Sequence, residues 1–129
     1  MTKGENNHIT SCTISWENTK DILRVVTKVL QTEIQVRHYI CGNFVSGRIW
    51  PMSEQQKQAL YEILYRCTED WDCDDYTMDA SDHNHWQFKI CTQRKCLITV
   101  CGTTEPPPHG AEIKEILSEI IGENNCYFY

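Results

Sequence analysis

The chain has 129 residues, 40% of them hydrophobic and 23% charged, with 12 basic against 18 acidic side chains and a formal net charge of −6. One domain of this size buries roughly two-thirds of its unfolded surface and needs no metal or disulfide staple, and six glycines with four prolines exclude a collagen-like or low-complexity chain. No apolar run approaches the ~18 residues of a membrane span, and the opening MTKGENNHIT lacks the apolar core of a secretory signal, so the expected address is the cytoplasm.

Residues 1–9 are polar and read as a flexible N-terminus, followed by one domain over 10–129. In Thr10 to Trp16, β-branched residues and the alternation of Cys12, Ile14 and Trp16 predict a first strand. Ile22, Val25, Val26, Val29 and Leu30 then fall at i, i+3, i+4, i+7 and i+8 behind a cap at Asn18 or Thr19. That spacing predicts a helix over 19–31, against the β-branched Val25, Val26, Thr27 and Val29, which favour a strand. Glu33 to Cys41 has period two, with Ile34, Val36, His38 and Ile40 on one face. Cys41-Gly42-Asn43 marks a turn, and Phe44 to Trp50 returns as its hairpin partner, where Gly47 signals a bulge or a close backbone approach.

Pro51 ends that strand, and Ser53 with Gln56 forms a capping box for a helix of about 14 residues, with Leu60, Ile63, Leu64 and Cys67 on its inner stripe. Residues 68–84 read as a long loop. Trp86, Phe88 and Ile90 alternate through the next strand, a turn follows at 92–95, and Cys96 to Cys101 forms its partner, closed by Gly102. Pro106 to Pro108 is a short rigid stretch ahead of the last helix. Ile113, Ile116, Leu117, Ile120 and Ile121 form that helix's apolar stripe, with Gly122 placed to end it in the left-handed conformation. The tail, 123–129, is apolar enough to pack on the fold or on a partner. The expected class is α+β: a mostly antiparallel sheet of about five strands, built from two hairpins, with two or three amphipathic helices on one face.

Eight cysteines would suggest bridges in a secreted chain, but no signal segment or N-x-S/T acceptor accompanies them, so most are expected reduced. Structural zinc is disfavoured because no C-x2-C or C-x2-H pair is present. Cys91 and Cys96 would face each other across the second hairpin, within reach of a bridge under oxidising conditions.

The densest chemical signal is acidic. Glu69, Asp70, Asp72, Asp74, Asp75, Asp79 and Asp82 place seven of the 18 carboxylates within 14 residues, and no lysine or arginine stands between Arg66 and Lys89. Asp70, Asp72 and Asp74 fit the first positions of a calcium loop, but Asp75 replaces its turn glycine and Ser81 its bidentate glutamate, so no metal site is predicted. Clustered carboxylates with Trp71 and Tyr76 among them suit a surface that attracts and anchors on a basic protein. His83 and His85 near Cys91 form the only constellation resembling a pocket, and they support an alternative reading as a small-ligand or divalent-metal site. Neither a nucleophile elbow, a zinc-protease helix nor a deaminase signature is present, so no enzyme and no cofactor are predicted.

Direct nucleic-acid binding is not expected, because the chain is acidic and its only adjacent basic residues are Arg94 and Lys95. The edges of two hairpins leave room for a homodimer. The profile is that of small acidic inhibitors, such as toxin immunity proteins or phage antagonists of nucleic-acid-guided nucleases. The expectation is therefore a non-enzymatic inhibitor that docks residues Glu69, Asp70, Trp71, Asp72, Asp74, Asp75, Tyr76, Asp79 and Asp82 on a basic partner, with no membrane involvement.

Overall fold

In the computed structural model, which describes residues 9–18, 20, 22–70, 75–76, 84–92, 96–103 and 108–122, the period-two stretches assemble into one seven-stranded sheet. The strands are β1 (Ile9–Asn18), β2 (Leu23–Val29), β3 (Glu33–Ile40), β4 (Asn43–Pro51), β5 (Asp75–Tyr76), β6 (Asn84–Thr92) and β7 (Cys96–Gly102). The helices are α1 (Glu54–Asp70), between β4 and β5, and α2 (Gly110–Ile121), after β7. The sheet order is β4-β3-β2-β1-β6-β7-β5, with every neighbouring pair antiparallel except β5, which runs parallel to β7. The expected α+β class is present. The sheet is wider than the five strands expected, because β2 joins it and the two-residue β5 adds to its edge.

The segment from Leu23 to Val29 is a strand and not the helix that its spacing suggests. It pairs along its whole length with β1 on one side and β3 on the other. Val25, Thr27 and Val29 are buried, while Val26 is half-buried on the opposite face. Apolar residues on both faces of a central strand imitate a helical stripe, and the β-branched composition was the truer signal.

Tight turns fix the register of the first four strands. Cys41 (φ 52°) and Gly42 (φ 80°) both carry positive φ between the paired Ile40 and Asn43, the requirement of a type I′ hairpin turn, whose twist matches that of the strands. Ile22 also has positive φ (56°), unusual for a β-branched residue, and its carbonyl accepts the Cys41 N–H at 3.1 Å. The irregularity in β4 falls at Val45, since His38 pairs with Ser46 and Tyr39 with Phe44. Gly47 serves instead as a close approach: a Cβ there would lie 3.3 Å from Cζ of the Phe44 ring.

The capping box forms as the sequence indicates. The Ser53 hydroxyl accepts the Gln56 N–H at 3.1 Å, and the Ser53 N–H donates to Gln56 Oε1 at 2.9 Å. α1 is 17 residues long, because it continues through Glu69 and Asp70, which were expected to lie in the loop. Leu60, Ile63, Leu64 and Cys67 of α1 and Ile113, Leu117 and Ile121 of α2 are buried in one cluster with Cys12, Ile14, Val25, Ile34, Trp86, Phe88 and Ile90 of the sheet. Both helices therefore cover the same face. The Tyr61 hydroxyl shares its proton between the carbonyls of Leu30 (3.0 Å) and Thr10 (3.2 Å), and the Tyr65 hydroxyl accepts the Ile9 N–H at 3.1 Å, which ties α1 to the first strands. Gly122 ends α2 with positive φ as expected, but its ψ of 144° is extended and not left-handed helical; its N–H reaches the Ser118 carbonyl at 2.9 Å.

Among the described residues no helix is long and apolar enough to cross a membrane. The N-terminal residues 1–8, the hairpin turn at 93–95, prolines 106 and 107 and the tail 123–129 lie outside the described residues.

Candidate functional site

Because side chains alternate along a strand, burying one face of the sheet under α1 and α2 leaves a second face that no described element covers. It is built from Ser11, Thr13, Ser15 and Glu17 of β1, Arg24, Val26 and Lys28 of β2, Gln35, Arg37 and Tyr39 of β3, and His85, Gln87 and Lys89 of β6, none of them buried. Small hydroxyl residues on the central strand make its middle low. A cavity of about 450 Å³ lies there against Ser15, Glu17, Arg24, His85, Gln87 and Cys101. A second, of about 390 Å³, shares Ser15 and Arg24 with it and extends past Thr13, Lys28 and Tyr39. The cavity at His85 thus opens on the side of the sheet away from the helices.

His85 and Cys91 are not brought together. Both point to the outer face of β6, but six residues of strand separate them by about 20 Å. Cys91 is disulfide-bonded, and its backbone partner across the hairpin is Cys96. Cys12, Cys41 and Cys67 are thiols outside any disulfide. Burial, reinforced by the neighbouring Cys67, holds the Cys12 thiol far above its ordinary value. Burial first, and then the carboxylates of Asp70 and Glu112, push Cys67 up to about 12. Neither supplies a thiolate nucleophile near neutral pH. His83 lies outside the described residues.

Of the acidic run, Glu69 and Asp70 are exposed at the C-terminal end of α1, whose last turn has no basic residue. The negative end of the helix dipole therefore adds to their charge. Asp75 and Tyr76 form β5, paired with Cys101 and Gly102 at the sheet edge. Trp71, Asp72, Asp74, Asp79 and Asp82 lie outside the described residues.

Asp70 has a partner that spacing along the chain does not reveal. His109, the residue preceding α2, has left-handed backbone geometry (φ 68°, ψ 3°), which turns its ring toward the end of α1. Its Nε2 lies 2.6 Å from Asp70 Oδ2 and its Nδ1 3.2 Å from Glu112 Oε1. The hydrogen bonds to Asp70 first, and to Glu112 next, raise the imidazole above its ordinary 6.5. The cation so favoured clasps the two helix ends together. Among the described residues no group of three or more His, Cys, Asp or Glu could hold a metal ion.

A different surface stands out at the opposite edge. β4 is exposed along nearly its whole length and has no neighbour on its outer side among the described strands. Five large hydrophobic side chains are exposed among the described residues: Ile22 (55%), Ile40 (46%), Phe44 (60%), Val45 (55%) and Ile49 (63%). All five lie on the β3–β4 hairpin or on the turn hydrogen-bonded to it. Period-two spacing puts Ile40 on the same face of β3 as the buried Ile34 and Val36, yet Ile40 is exposed. The chain matches no model of a known protein family and no curated protein.

Proposed function

We propose that this protein acts by binding another protein and not by catalysis. The observation that carries this reading is the β4 corner, where an unpaired strand edge and all the large exposed hydrophobics of the described fold coincide. An edge offers a row of backbone donors and acceptors to a partner strand, and natural proteins usually blunt such edges with charge. Here Arg48 is the only charged residue between Asn43 and Pro51, and its guanidinium lies over the Trp50 ring, 4.9 Å from the centroid. Removing the exposed parts of Phe44, Val45 and Ile49 from water contributes on the order of 1 kcal/mol each.

The carboxylate run from Glu69 to Asp82 suits a basic partner, whose approach it steers, and an inhibitor that occupies the basic groove of a nucleic-acid-binding protein is the role that combines the two features. Glu69 and Asp70, exposed beside the negative end of α1, support that polarity.

The test is a pull-down from the source cell's lysate at low and high salt, read by mass spectrometry, with far-UV circular dichroism confirming that each variant folds. The parent is expected to retain a basic protein that Val45→Lys/Ile49→Lys loses. Asp72→Lys/Asp74→Lys/Asp75→Lys, which leaves Asp70 on His109, is expected to hold that protein weakly and without salt sensitivity. Retention of the same proteins by the parent and both variants would overturn the reading.

A further inference from the structure

We propose that the outer face of the sheet binds single-stranded nucleic acid in the trough centred on Arg24. Four cations, Arg24, Lys28, Arg37 and Lys89, are exposed on this face, and none makes an ion pair with a described residue. The carboxylates sharing the face are Glu17, directly opposite Arg24, and Glu33, whose Oε2 accepts the Gln35 amide at 2.8 Å. The two helices on the other face carry seven carboxylates against three cations. Among the described residues, therefore, the helical layer is net negative and the outer face of the sheet net positive.

Sheet register gathers these cations from distant parts of the chain. Lys28 and Lys89 both pair with Thr13, one from each side, about 10 Å apart across β1. Arg37 pairs with Val26, midway between Arg24 and Lys28. Between them runs the trough formed by the two adjoining cavities, floored by Thr13 and Ser15 and ended by Tyr39, whose ring meets that of Phe44 edge-on at 5.9 Å. Cations spread along a groove hold phosphates, small hydroxyl residues and amides suit sugars and base edges, and an aromatic face takes a base. An acidic peptide fits less well. The strands beneath the trough already have neighbours on both sides and cannot accept another strand.

The experiment is fluorescence anisotropy with a labelled oligouridylate of about 20 nucleotides and the full chain, between 50 and 200 mM salt. Four phosphate contacts predict a salt slope of about −2.8 and so a fall in affinity of about 50-fold over that range. Lys28→Gln/Arg37→Gln should leave a fall of about 7-fold, while Tyr39→Leu weakens binding about 10-fold at every salt concentration. The helix variant Lys57→Gln/Arg66→Gln should bind as the parent does. No anisotropy change at 50 mM salt, or equal binding by the sheet and helix variants, would overturn the proposal. Displacement of the oligonucleotide by polyglutamate at equal charge would also overturn it and assign the face to an acidic protein. Both pull-down variants of the preceding section retain all four cations, so failure here and failure there are separable.

Discussion

Replacing Gly102 with alanine should cost about 2 kcal/mol, within the range typical of overpacking, and the reason lies in one neighbour. Gly102 is buried on β7 and pairs with Trp86 of β6. A Cβ added there would meet Cζ2, Cε2 and Cη2 of the Trp86 ring, the last two at 2.8 and 3.0 Å, where carbon contacts ordinarily settle at about 3.5 to 4.0 Å. The ring cannot step aside, because Trp86 is 1% exposed and packs nearly perpendicular to the Phe88 ring, with centroids 5.6 Å apart. Gly102 does not have the positive φ that would make alanine a strained backbone choice. Alanine should in fact gain about 0.5 kcal/mol from its lower unfolded-state entropy, so a net loss isolates the steric effect, for which overpacking of about 1–3 kcal/mol is typical. Urea unfolding followed by far-UV circular dichroism would measure it, with a melting temperature lower by about 8 °C as a second readout. Trp86→Phe, which shrinks the ring at the clash, should recover at least about 1 kcal/mol of the penalty in a double-mutant cycle. Gly102→Ala as stable as the parent, or a cycle with no coupling, would refute the packing argument.

Thr27 sits in the core between Ile14 and Val36, and its hydroxyl has no hydrogen-bond partner among the described residues. Thr27→Val should therefore raise stability by about 1 kcal/mol in chemical denaturation; a loss would mean that the hydroxyl is satisfied. Cys41→Asn should stabilise by a similar amount, about 1 kcal/mol, because it places asparagine at a left-handed position before Gly42, and an unchanged denaturation midpoint would argue against strain there. For His109 the folded-state value is raised, so the stability from its clasp is fully present below about 6.5 and is lost as pH rises through the higher folded-state value. His109→Asn should accordingly cost up to about 1 kcal/mol at pH 6 and less at pH 9; an equal cost at both would show that charge plays no part.

Much of the fold is legible in the sequence where one physical signal acts alone. Ser53 and Gln56 announce α1 because a capping box has few other uses, and Trp86, Phe88 and Ile90 announce β6 because only one face of that strand meets the core. β2 is obscured because it is central and apolar on both sides, so Val26 completes a false helical stripe. The candidate surfaces divide in the same way. The carboxylates of 69–82 are adjacent in the chain and visible at once, whereas Arg24, Lys28, Arg37 and Lys89 become a group only through the register of four strands. The pairing of His109 with Asp70 joins residues 39 apart, at facing ends of two helices, and no local pattern encodes it.

The position of β1 has a consequence for how the chain reaches this structure. Its neighbours are β2, which follows directly, and β6, which begins only at Asn84. At about 5 to 20 residues per second of synthesis, β1 to β4 can form a meander several seconds before β6 leaves the ribosome. During that interval β1 is itself an edge, and its Cys12 and Ile14 face waits for α1. Closing the sheet then requires the chain from Pro51 to Asn84, about 30 residues that include α1, to pass back across the finished meander from β4 to β1. Substitutions along the β1–β6 seam should slow folding, while those in the β3–β4 hairpin, which closes locally, should act mainly on the rate of unfolding.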